Sequence, residues 1–517
     1  MAWFRVAVIR ACMGELMKKS ESAPQRRSDD LDRVYAMLID GVWTAAQSGQ
    51  TFACMDPFTE EEWGRVPLAA ADDVDSAVQA ARRAFDSGDW SRISAAGRAA
   101  LLRRLASLIE DNADDLAYRQ IRENGKLISE MRPGSHVLAA ACYYFAGLAE
   151  TVHGLTLPVS IPNMVSYTVR EPLGVVAAIT PWNSPLLLLG WKLFAALAAG
   201  NTVVVKPSEI TPTSTLLLAE LIMEAGFPAG VVNVVTGYGR PAGEALVNHP
   251  GVNKIAFTGS TATGQAIARA AADRNARVSL ELGGKSPNII FADADISNAV
   301  NGVMAGIFAA SGQSCMAGSR VLVEDSVYDE VAGLLVQRGS RMIPGDPLDP
   351  ATQLGPVASR PQLEKILGYL DIAAAEGLEV LTGGRRLDRT GFFVAPTVFG
   401  NVDNSSRVAR EEIFGPVVSL LRFSDEEQAL AIGNDTRYGL AAGVWTGSVQ
   451  RAHRMAARLR AGTVWVNNYR MVSYAVPFGG FKESGLGREI GPEALHDFTE
   501  VKSVWIDTGN EVIFPTG

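Results

Sequence analysis

The sequence is poor in cysteine and histidine. Its four cysteines, Cys12, Cys54, Cys142 and Cys315, show no C-x-x-C spacing, which argues against a disulfide framework and against a cysteine-rich metal site. The five histidines are scattered, with no H-x-x-H or H-E-x-x-H spacing, so no metal is predicted. The expectation from this cysteine usage is a reducing, cytoplasmic location.

Positive charge is also in short supply. The chain has 47 lysines and arginines against 56 acidic residues, a net charge of −9, which argues against nucleic acid or an anionic membrane as the main partner. Residues 173–191 carry no charge over 19 positions, a length that could span a bilayer. Pro181 and Pro185 would break such a helix. We therefore predict a strand, a loop and the start of a helix here, and no membrane partner.

The remaining composition is typical of a large globular enzyme. Hydrophobic residues make up 47% and charged residues 20% of the chain, close to the globular average, and 517 residues predict about three domains. Basic and apolar residues near the N-terminus are compatible with a targeting segment, but an acid interrupts them and residues 18–33 are polar. We predict a disordered extension over residues 1–35.

Strands and helices alternate along most of the chain. The predicted strands are 175–179, 202–205, 231–235 and 254–257, and the predicted helices are 72–86, 95–111, 186–198, 212–226 and 240–249. Such alternation predicts a parallel, doubly wound α/β sheet, and a second series over 284–466 predicts a second α/β domain. The segments 153–170 and 499–507 are typical of strands without neighbouring partners. We expect them to pair with each other, or with another subunit, as an arm.

Two residues could carry the chemistry of a reaction. Small residues surround Cys315 and leave room for a substrate, so its thiol is either a nucleophile or simply buried. Glu281 ends an apolar strand beside Gly283 and Gly284. A carboxyl group in that setting can have a raised pKa and act as a general base, or it can be a structural acid with a satisfied partner.

Two further patterns favour a nucleotide. The segment 257–264 follows a strand and precedes a helix expected over 265–272; its glycines would let a phosphate approach the backbone, although an ordinary strand–turn–helix has the same pattern. Lys206 and Glu209 lie at the carboxyl end of a strand, where doubly wound sheets bind ligands. Glu209 could bind a ribose diol and repel a 2′-phosphate, which favours NAD over NADP; a solvated charged turn is the alternative.

Together and in this order, these motifs resemble the NAD(P)-dependent aldehyde dehydrogenase superfamily, in particular bacterial catabolic enzymes that act on bulky aldehydes. The segments 180–183 (TPWN), 411–416 (EEIFGP) and 477–482 (PFGGFK) match that superfamily as well, and the resemblance covers residues 38–507.

The resemblance implies an α/β fold with three parts. These are a Rossmann-like cofactor domain over 36–150 and 171–282, an α/β catalytic domain over 283–498, and a β-strand oligomerisation arm made of 151–170 and 499–517. It also implies a homo-oligomer, either a dimer or a tetramer.

The resemblance further implies a covalent mechanism. Cys315 would attack the aldehyde as a thiolate, while the side-chain amide of Asn183 and the N–H of Cys315 hold the oxyanion. Hydride transfer to the nicotinamide would leave a thioester, and Glu281 would activate the water that hydrolyses it. Lys192 and Glu489 match positions that relay protons from the general base.

The implied cofactor is NAD, with NADP less favoured. Lys206 and Glu209 match contacts of the adenosine ribose, Ser260 a pyrophosphate contact, and Glu412 the acid that binds the nicotinamide ribose beside Phe414. The predicted cofactor-binding residues are Thr180, Trp182, Lys206, Ser208, Glu209, Gly239, Gly243, Phe257, Gly259, Ser260, Thr263, Leu282, Gly283, Glu412 and Phe414.

The predicted substrate pocket departs from the family pattern at Ser184, where many relatives carry an aromatic residue. Arg470 could pair with a carboxylate of the substrate, or lie exposed at the surface. The predicted pocket residues are Ser184, Leu187, Leu188, Trp191, Ser314, Met316, Arg470, Tyr474 and Phe478; the leucines and Trp191 share a helical face with Ser184 and could equally be core residues. A bulky, partly apolar aldehyde is expected: aromatic, terpenoid or a semialdehyde.

Three other functions compete with this interpretation. A CoA-acylating aldehyde dehydrogenase would release the acyl group to CoA, but such relatives usually lack the acid at the Glu281 position. A cysteine hydrolase would need a base such as histidine paired with the thiol, and would leave Lys206 and Glu209 unexplained. A non-catalytic binding or structural protein on the same fold would not need Cys315, Asn183 and Glu281 together.

Overall fold

A computed structural model describes residues 33–509 of the chain. Residues 1–32, most of the predicted disordered extension, lie outside the described residues. Arg33–Val34 forms a strand that pairs in parallel with Glu61–Pro67. This pairing corrects the predicted extension, which ran to residue 35.

The secondary structure follows the predicted alternation. The strands are β1 (Arg33–Val34), β2 (Met37–Ile39), β3 (Val42–Thr44), β4 (Thr51–Asp56), β5 (Glu61–Pro67), β6 (Thr156–Leu157), β7 (Met164–Pro172), β8 (Val175–Ile179), β9 (Thr202–Lys206), β10 (Val232–Val234), β11 (Lys254–Thr258), β12 (Arg277–Glu281), β13 (Pro287–Ile290), β14 (Arg320–Glu324), β15 (Glu379–Thr382), β16 (Thr397–Gly400), β17 (Val417–Phe423), β18 (Ala441–Trp445), β19 (Thr463–Val466), β20 (Gly485–Leu486) and β21 (Thr499–Asp507). The α-helices are α1 (Ala71–Asp86), α2 (Ala95–Asp111), α3 (Ala113–Asn124), α4 (Ile128–Leu148), α5 (Pro185–Ala199), α6 (Pro212–Glu224), α7 (Glu244–Asn248), α8 (Thr261–Ala272), α9 (Ile296–Ile307), α10 (Tyr328–Gly339), α11 (Arg360–Ala375), α12 (Arg407–Arg410), α13 (Glu426–Asn434), α14 (Val449–Arg458) and α15 (Ala494–Asp497).

The first large sheet has eight strands in the order β20-β12-β11-β8-β9-β10-β2-β3. Its five central strands are parallel, and β8, β9 and β11 are buried at every residue. Helices cover both faces of such a sheet, which is why its strands read as continuous apolar runs. Strand β20 comes from the segment assigned to the catalytic domain, yet it pairs with β12. The predicted division at residues 282 and 283 therefore does not hold for this late strand.

The uncharged stretch at 173–191 forms β8, a loop and the start of α5, as predicted. Pro185 occupies the first turn of α5, where its missing N–H leaves no helical hydrogen bond unmade. Gly200 ends the helix in the left-handed region at φ 97°. Within residues 33–509, the structure contains no helix of the length and apolarity that crossing a membrane requires.

The second large sheet has seven strands in the order β15-β16-β17-β14-β13-β18-β19. All of its pairings are parallel except that of the edge strand β15. This sheet confirms the second α/β series.

Strands β7 and β21 pair antiparallel over nine residues each, and β6 extends the same small sheet. The structure thus selects the first of the two predicted arrangements, in which these segments pair with each other. Several large apolar side chains remain exposed on this arm, with Trp505 and Val501 at 54% and Leu155 at 61%.

One helix begins earlier than predicted. Ser260 accepts a hydrogen bond from the N–H of Thr263, and this cap starts α8 at Thr261 instead of residue 265. Asp295 caps α9 in the same way through the N–H of Asn298. The residues after α9 are not helical, because Ala310 lies at φ 53°.

Candidate active site

The carboxyl end of the first large sheet meets the amino ends of β13, β14 and β17 of the second sheet around Cys315. Asn183 lies in the loop between β8 and α5, and Glu281 is the last residue of β12. Cys315 lies in the loop between α9 and β14. Ligands of parallel sheets bind at the carboxyl ends of the strands, which is where Asn183 and Glu281 lie in the first sheet. The three predicted catalytic residues thus come together from segments far apart in sequence.

Asn183 is held against the loop that carries Cys315. Its Nδ2 donates a hydrogen bond of 3.0 Å to the carbonyl oxygen of Gln313. The same glutamine accepts a hydrogen bond of 2.8 Å from the N–H of Ala358 through Oε1. An amide nitrogen carries two hydrogens, so the second N–H of Asn183 is available to another acceptor beside Cys315.

The Cys315 thiol is half-buried. Burial, and then the negative charges of Glu412 and Glu281, raise its pKa from 9.0 to about 12. Backbone hydrogen bonds from Met316 and Cys315 itself act in the opposite direction. The thiol is therefore protonated at neutral pH, and its activation requires a base or a nearby positive charge.

The carboxyl group of Glu281 is buried, and among the described residues neither of its oxygens has a hydrogen-bond partner. Burial and the neighbouring Glu489 raise its pKa well above 4.5, while the charge of Lys192 opposes the shift. A Cβ atom on Gly479 would lie 2.9 Å from Glu281 Oε1, so a glycine is needed to leave room for this carboxyl group.

Lys192 and Glu489 form a buried ion pair behind Glu281. Lys192 Nζ lies 2.6 Å from Glu489 Oε1 and donates a hydrogen bond of 2.6 Å to Thr258 Oγ1. Burial raises the pKa of Glu489, and Lys192 counteracts that rise. The predicted relay residues are therefore in contact with each other and within electrostatic range of Glu281.

Glycines allow close packing where the first sheet meets α8. A Cβ atom on Gly259 would lie 2.4 Å from the ring of Phe257, and one on Gly264 would lie 2.3 Å from Leu282. The first turn of α8, capped by Ser260, borders a cavity of about 530 Å³ that Glu412 also lines. The free N–H groups at such a helix start attract phosphate.

The adenosine end of the predicted cofactor site lies after β9. Burial lowers the pKa of Lys206 to about 8, although the charge of Glu209 opposes the shift. Lys206 Nζ donates a hydrogen bond of 2.9 Å to the carbonyl oxygen of Pro207, and Ser208 Oγ lies 3.4 Å from Glu209 Oε2. Gly243 lies against the Lys206 side chain, and the exposed Gly239 begins the turn that leads to it.

The nicotinamide end of that predicted site lies between the two sheets. Glu412 accepts a hydrogen bond of 3.0 Å from the N–H of Gly284, and a Cβ atom on Gly283 would lie 2.5 Å from Glu412 Oε2. The rings of Trp182 and Phe414 meet edge to face with centroids 5.2 Å apart. Thr180 Oγ1 is buried without a partner among the described residues.

A cavity of about 420 Å³ leads to Cys315. All nine predicted pocket residues line it: Ser184, Leu187, Leu188, Trp191, Ser314, Met316, Arg470, Tyr474 and Phe478. Trp191 packs against Phe478 with ring centroids 5.4 Å apart. Arg470 donates a hydrogen bond of 3.1 Å to the carbonyl oxygen of Ala305 while it borders the cavity. In residues 33–509, no group of three or more His, Cys, Asp or Glu side chains could hold a metal ion.

Comparison with known proteins decides the family. The model of the aldehyde dehydrogenase family matches residues 43–504. The chain belongs to this family. It is 46% identical over 476 residues to the aldehyde dehydrogenase of Aspergillus niger, covering 92% of this chain and 95% of the relative. It is 44% identical over 473 residues to human retinal dehydrogenase 2, covering 91% of each.

The fold of this aldehyde dehydrogenase agrees with solved structures. The NAD⁺ complex of an aldehyde dehydrogenase from Bacillus cereus superposes with a TM-score of 0.92 at 44% identity, covering 94% of this chain and 100% of that chain. The predicted family, the α/β fold and the activity of an aldehyde dehydrogenase are therefore confirmed. The roles of individual site residues stay predictions.

One wall of the cavity in this aldehyde dehydrogenase consists of residues that the sequence patterns did not predict. Helix α4 and the residue pair before it contribute Lys126, Glu130 and Leu138, and a late loop contributes Val472. Lys126 follows Gly125, which ends α3 at φ 72°, so its local pattern is that of an ordinary helix end. The contact that matters joins Lys126 to Ser184 across 58 positions, and no local signal could have found it.

Proposed function

We propose that this aldehyde dehydrogenase oxidises a bulky, partly apolar aldehyde to its carboxylic acid, with NAD as the oxidant and water as the species that releases the product. The observation that carries the proposal is the unpaired, buried carboxyl group of Glu281 in one site with Cys315 and Asn183. A carboxyl group without partners and with a raised pKa is suited to accept protons in a dry site.

In the first step, the Cys315 thiol loses its proton and its sulfur attacks the aldehyde carbon. Glu281 accepts the proton, because the thiol pKa of about 12 makes spontaneous ionisation rare at neutral pH. The second N–H of Asn183 and the N–H of Cys315 stabilise the oxyanion. Each such donor contributes about 3–4 kcal/mol to the stabilisation of the transition state.

NAD supplies a hydride acceptor beside the resulting thiohemiacetal, which becomes a thioester on Cys315. The residues fit such a cofactor: the capped N-terminus of α8 suits a pyrophosphate, and the space that Gly283 leaves beside Glu412 suits a ribose. The Bacillus cereus relative with an NAD⁺ complex supports the same cofactor. Glu209 supports NAD over NADP, since its carboxylate would repel a 2′-phosphate.

Glu281 first passes the proton received from Cys315 towards solvent, and in the last step it takes a proton from the water that attacks the thioester. The buried pair Lys192 and Glu489 lies within electrostatic range of Glu281, and we assign it the passage of this proton towards solvent. Hydrolysis thus regenerates both the Cys315 thiol and the general base.

The cavity supports a bulky substrate. Its volume of about 420 Å³ lies within the range of small-molecule sites, and Leu187, Leu188 and Trp191 provide apolar walls. The name of the human relative, retinal dehydrogenase 2, is that of an enzyme for a long apolar aldehyde. Aromatic, terpenoid and semialdehyde substrates are therefore the first to test.

The exposed apolar side chains of β21 and of the residue before β6 support association with a second copy of the chain. Val501, Trp505 and Leu155 would lose their contact with water in a dimer or tetramer. Size-exclusion chromatography with light scattering measures this state directly.

The decisive experiment follows the absorbance of reduced nicotinamide with NAD, without CoA, across short aliphatic, aromatic, terpenoid and carboxylate-bearing aldehydes. Turnover with the bulky members supports the proposal. Turnover only after addition of CoA would overturn the role of water and of Glu281, and turnover only with NADP would overturn the role of Glu209.

A further inference from the structure

A buried lysine lies in the wall of the substrate cavity. Lys126 is 6% exposed and borders the cavity together with Cys315 and Asn183. Its Nζ donates a hydrogen bond of 2.8 Å to Ser184 Oγ. Ser184 directly follows Asn183, so this ammonium group lies at the end of the cavity where the aldehyde carbon reacts.

The hydrogen-bonding capacity of this ammonium group is not exhausted. An ammonium carries three N–H donors, and among residues 33–509 Ser184 is the one acceptor that it uses. Glu130 is the carboxylate whose charge most raises the pKa of Lys126. Its oxygens already accept hydrogen bonds of 2.7 Å from the N–H of Ala310 and 3.3 Å from the N–H of Leu127. Two donors of Lys126 are therefore left for a group that enters the cavity.

The charge balance of this wall is positive. Lys126 and Arg470 both border the cavity, and the guanidinium of Arg470 adds to the burial that lowers the pKa of Lys126 to about 8. Against these two cations stands the single carboxylate of Glu130. Burying the ammonium charge of Lys126 beside the neutral hydroxyl of Ser184 is unfavourable. An oxygen acceptor on the substrate would offset part of that desolvation cost.

We propose that Lys126 is a specificity-determining residue that binds an oxygen acceptor carried by the aldehyde substrate close to its reacting carbon. The acceptor is either a carboxylate or a neutral ether or carbonyl oxygen. Each of these would accept hydrogen bonds from the same two N–H groups of Lys126. The proposal rests on the proposed function and narrows its substrate class from bulky aldehydes to oxygenated ones. Ser184 positions the ammonium group, since its hydroxyl takes the third donor.

The test compares aldehydes of equal shape that differ in one acceptor. The neutral pair is 3-methoxybenzaldehyde and 3-ethylbenzaldehyde, and the anionic pair is 3-carboxybenzaldehyde and 3-isopropylbenzaldehyde. In the unaltered enzyme we expect kcat/KM to be at least about 10-fold higher for the oxygenated member of one or both pairs, as a hydrogen bond to a charged donor implies. A preference confined to the anionic pair identifies a carboxylate, and a similar preference in both pairs identifies a neutral acceptor.

Lys126→Met keeps the length of the side chain and removes its donors. We expect it to reduce the ratio of kcat/KM between the oxygenated and the apolar member of a pair to about 1. Ser184→Ala keeps the ammonium and removes its positioning contact, so it should reduce the preference less than Lys126→Met does. If Lys126→Met does not fold, as judged by thermal unfolding, Lys126→Leu, which also lacks donors, takes its place. A lysine with only a structural role would change kcat/KM by the same factor for both aldehydes of a pair. A ratio of kcat/KM that stays unchanged in either variant of Lys126 therefore overturns the inference.

An unaltered enzyme that turns over both members of each pair equally also overturns it. That result is distinguishable from failure of the proposed function, in which no aldehyde reduces NAD in the absence of CoA.

Discussion

Lys192 Nζ and Glu489 Oε1 lie 2.6 Å apart, and both side chains are almost completely shielded from water, at 0% and 2% exposure. The pair also determines the charge beside Glu281, because Glu489 raises the pKa of that carboxyl group while Lys192 lowers it. A buried ion pair is costly to break, since the remaining charge keeps its desolvation penalty without its partner.

Lys192→Met should therefore lower the free energy of unfolding by about 3–5 kcal/mol. Chemical denaturation followed by tryptophan fluorescence measures this change. The double variant Lys192→Met with Glu489→Gln is the matched control, because it removes both charges and should recover much of the loss. Strictly additive losses in the two single variants and the double variant would contradict the coupling.

Glu281→Gln should slow the release of product by about 100- to 10,000-fold, the usual contribution of a general base. At raised pH, where part of the Cys315 thiol ionises without Glu281, the acyl thioester should then accumulate. Intact-protein mass spectrometry after mixing with aldehyde and NAD detects it. Cys315→Ala is the matched control, since it cannot form the adduct. Unchanged turnover in Glu281→Gln would be incompatible with the general-base assignment.

Glu209→Ala should narrow the difference in kcat/KM between NAD and NADP, because the carboxylate that would repel a 2′-phosphate is removed. The measurement is steady-state turnover with each cofactor at saturating aldehyde. Glu209→Gln, which keeps the hydrogen-bonding shape without the charge, separates repulsion from loss of a ribose contact. A cofactor preference that stays the same in both variants would refute the ribose assignment.

Iodoacetamide should label Cys315 faster than Cys54 or Cys142, because Cys315 is half-exposed while the other two are buried and have raised pKa values. Since the pKa of the Cys315 thiol is about 12, the thiolate fraction grows as pH rises and the labelling rate should increase about tenfold per unit from pH 7 to 10. Peptide mass spectrometry resolves each cysteine; Cys12 lies outside the described residues. A labelling rate that stops increasing below pH 9 would mean that the pKa of the Cys315 thiol is lower than the burial and charges of this site imply.

Much of this site was predictable because its residues lie in local patterns. Glycines that precede a helix, an acid that ends an apolar strand, and a cysteine among small residues each carry a local reason for their chemistry. The strand and helix alternation followed for the same reason, as periodicity specifies which face of an element is buried. The boundary errors lie at capped helix starts such as Ser260, where one side-chain hydrogen bond decides the first turn.

The sequence by itself determined the family and the two α/β series, and it predicted the nucleophile, the amide and the acid. The tertiary structure alone decided which polar side chains are in contact. It pairs Lys192 with Glu489 and Lys126 with Ser184, and it leaves Glu281 with no hydrogen-bonding partner among the described residues. It also brought β20 back to the first sheet. The physical reason is that hydrogen bonds and desolvation act over a few ångströms in space, whereas sequence patterns report only neighbours along the chain.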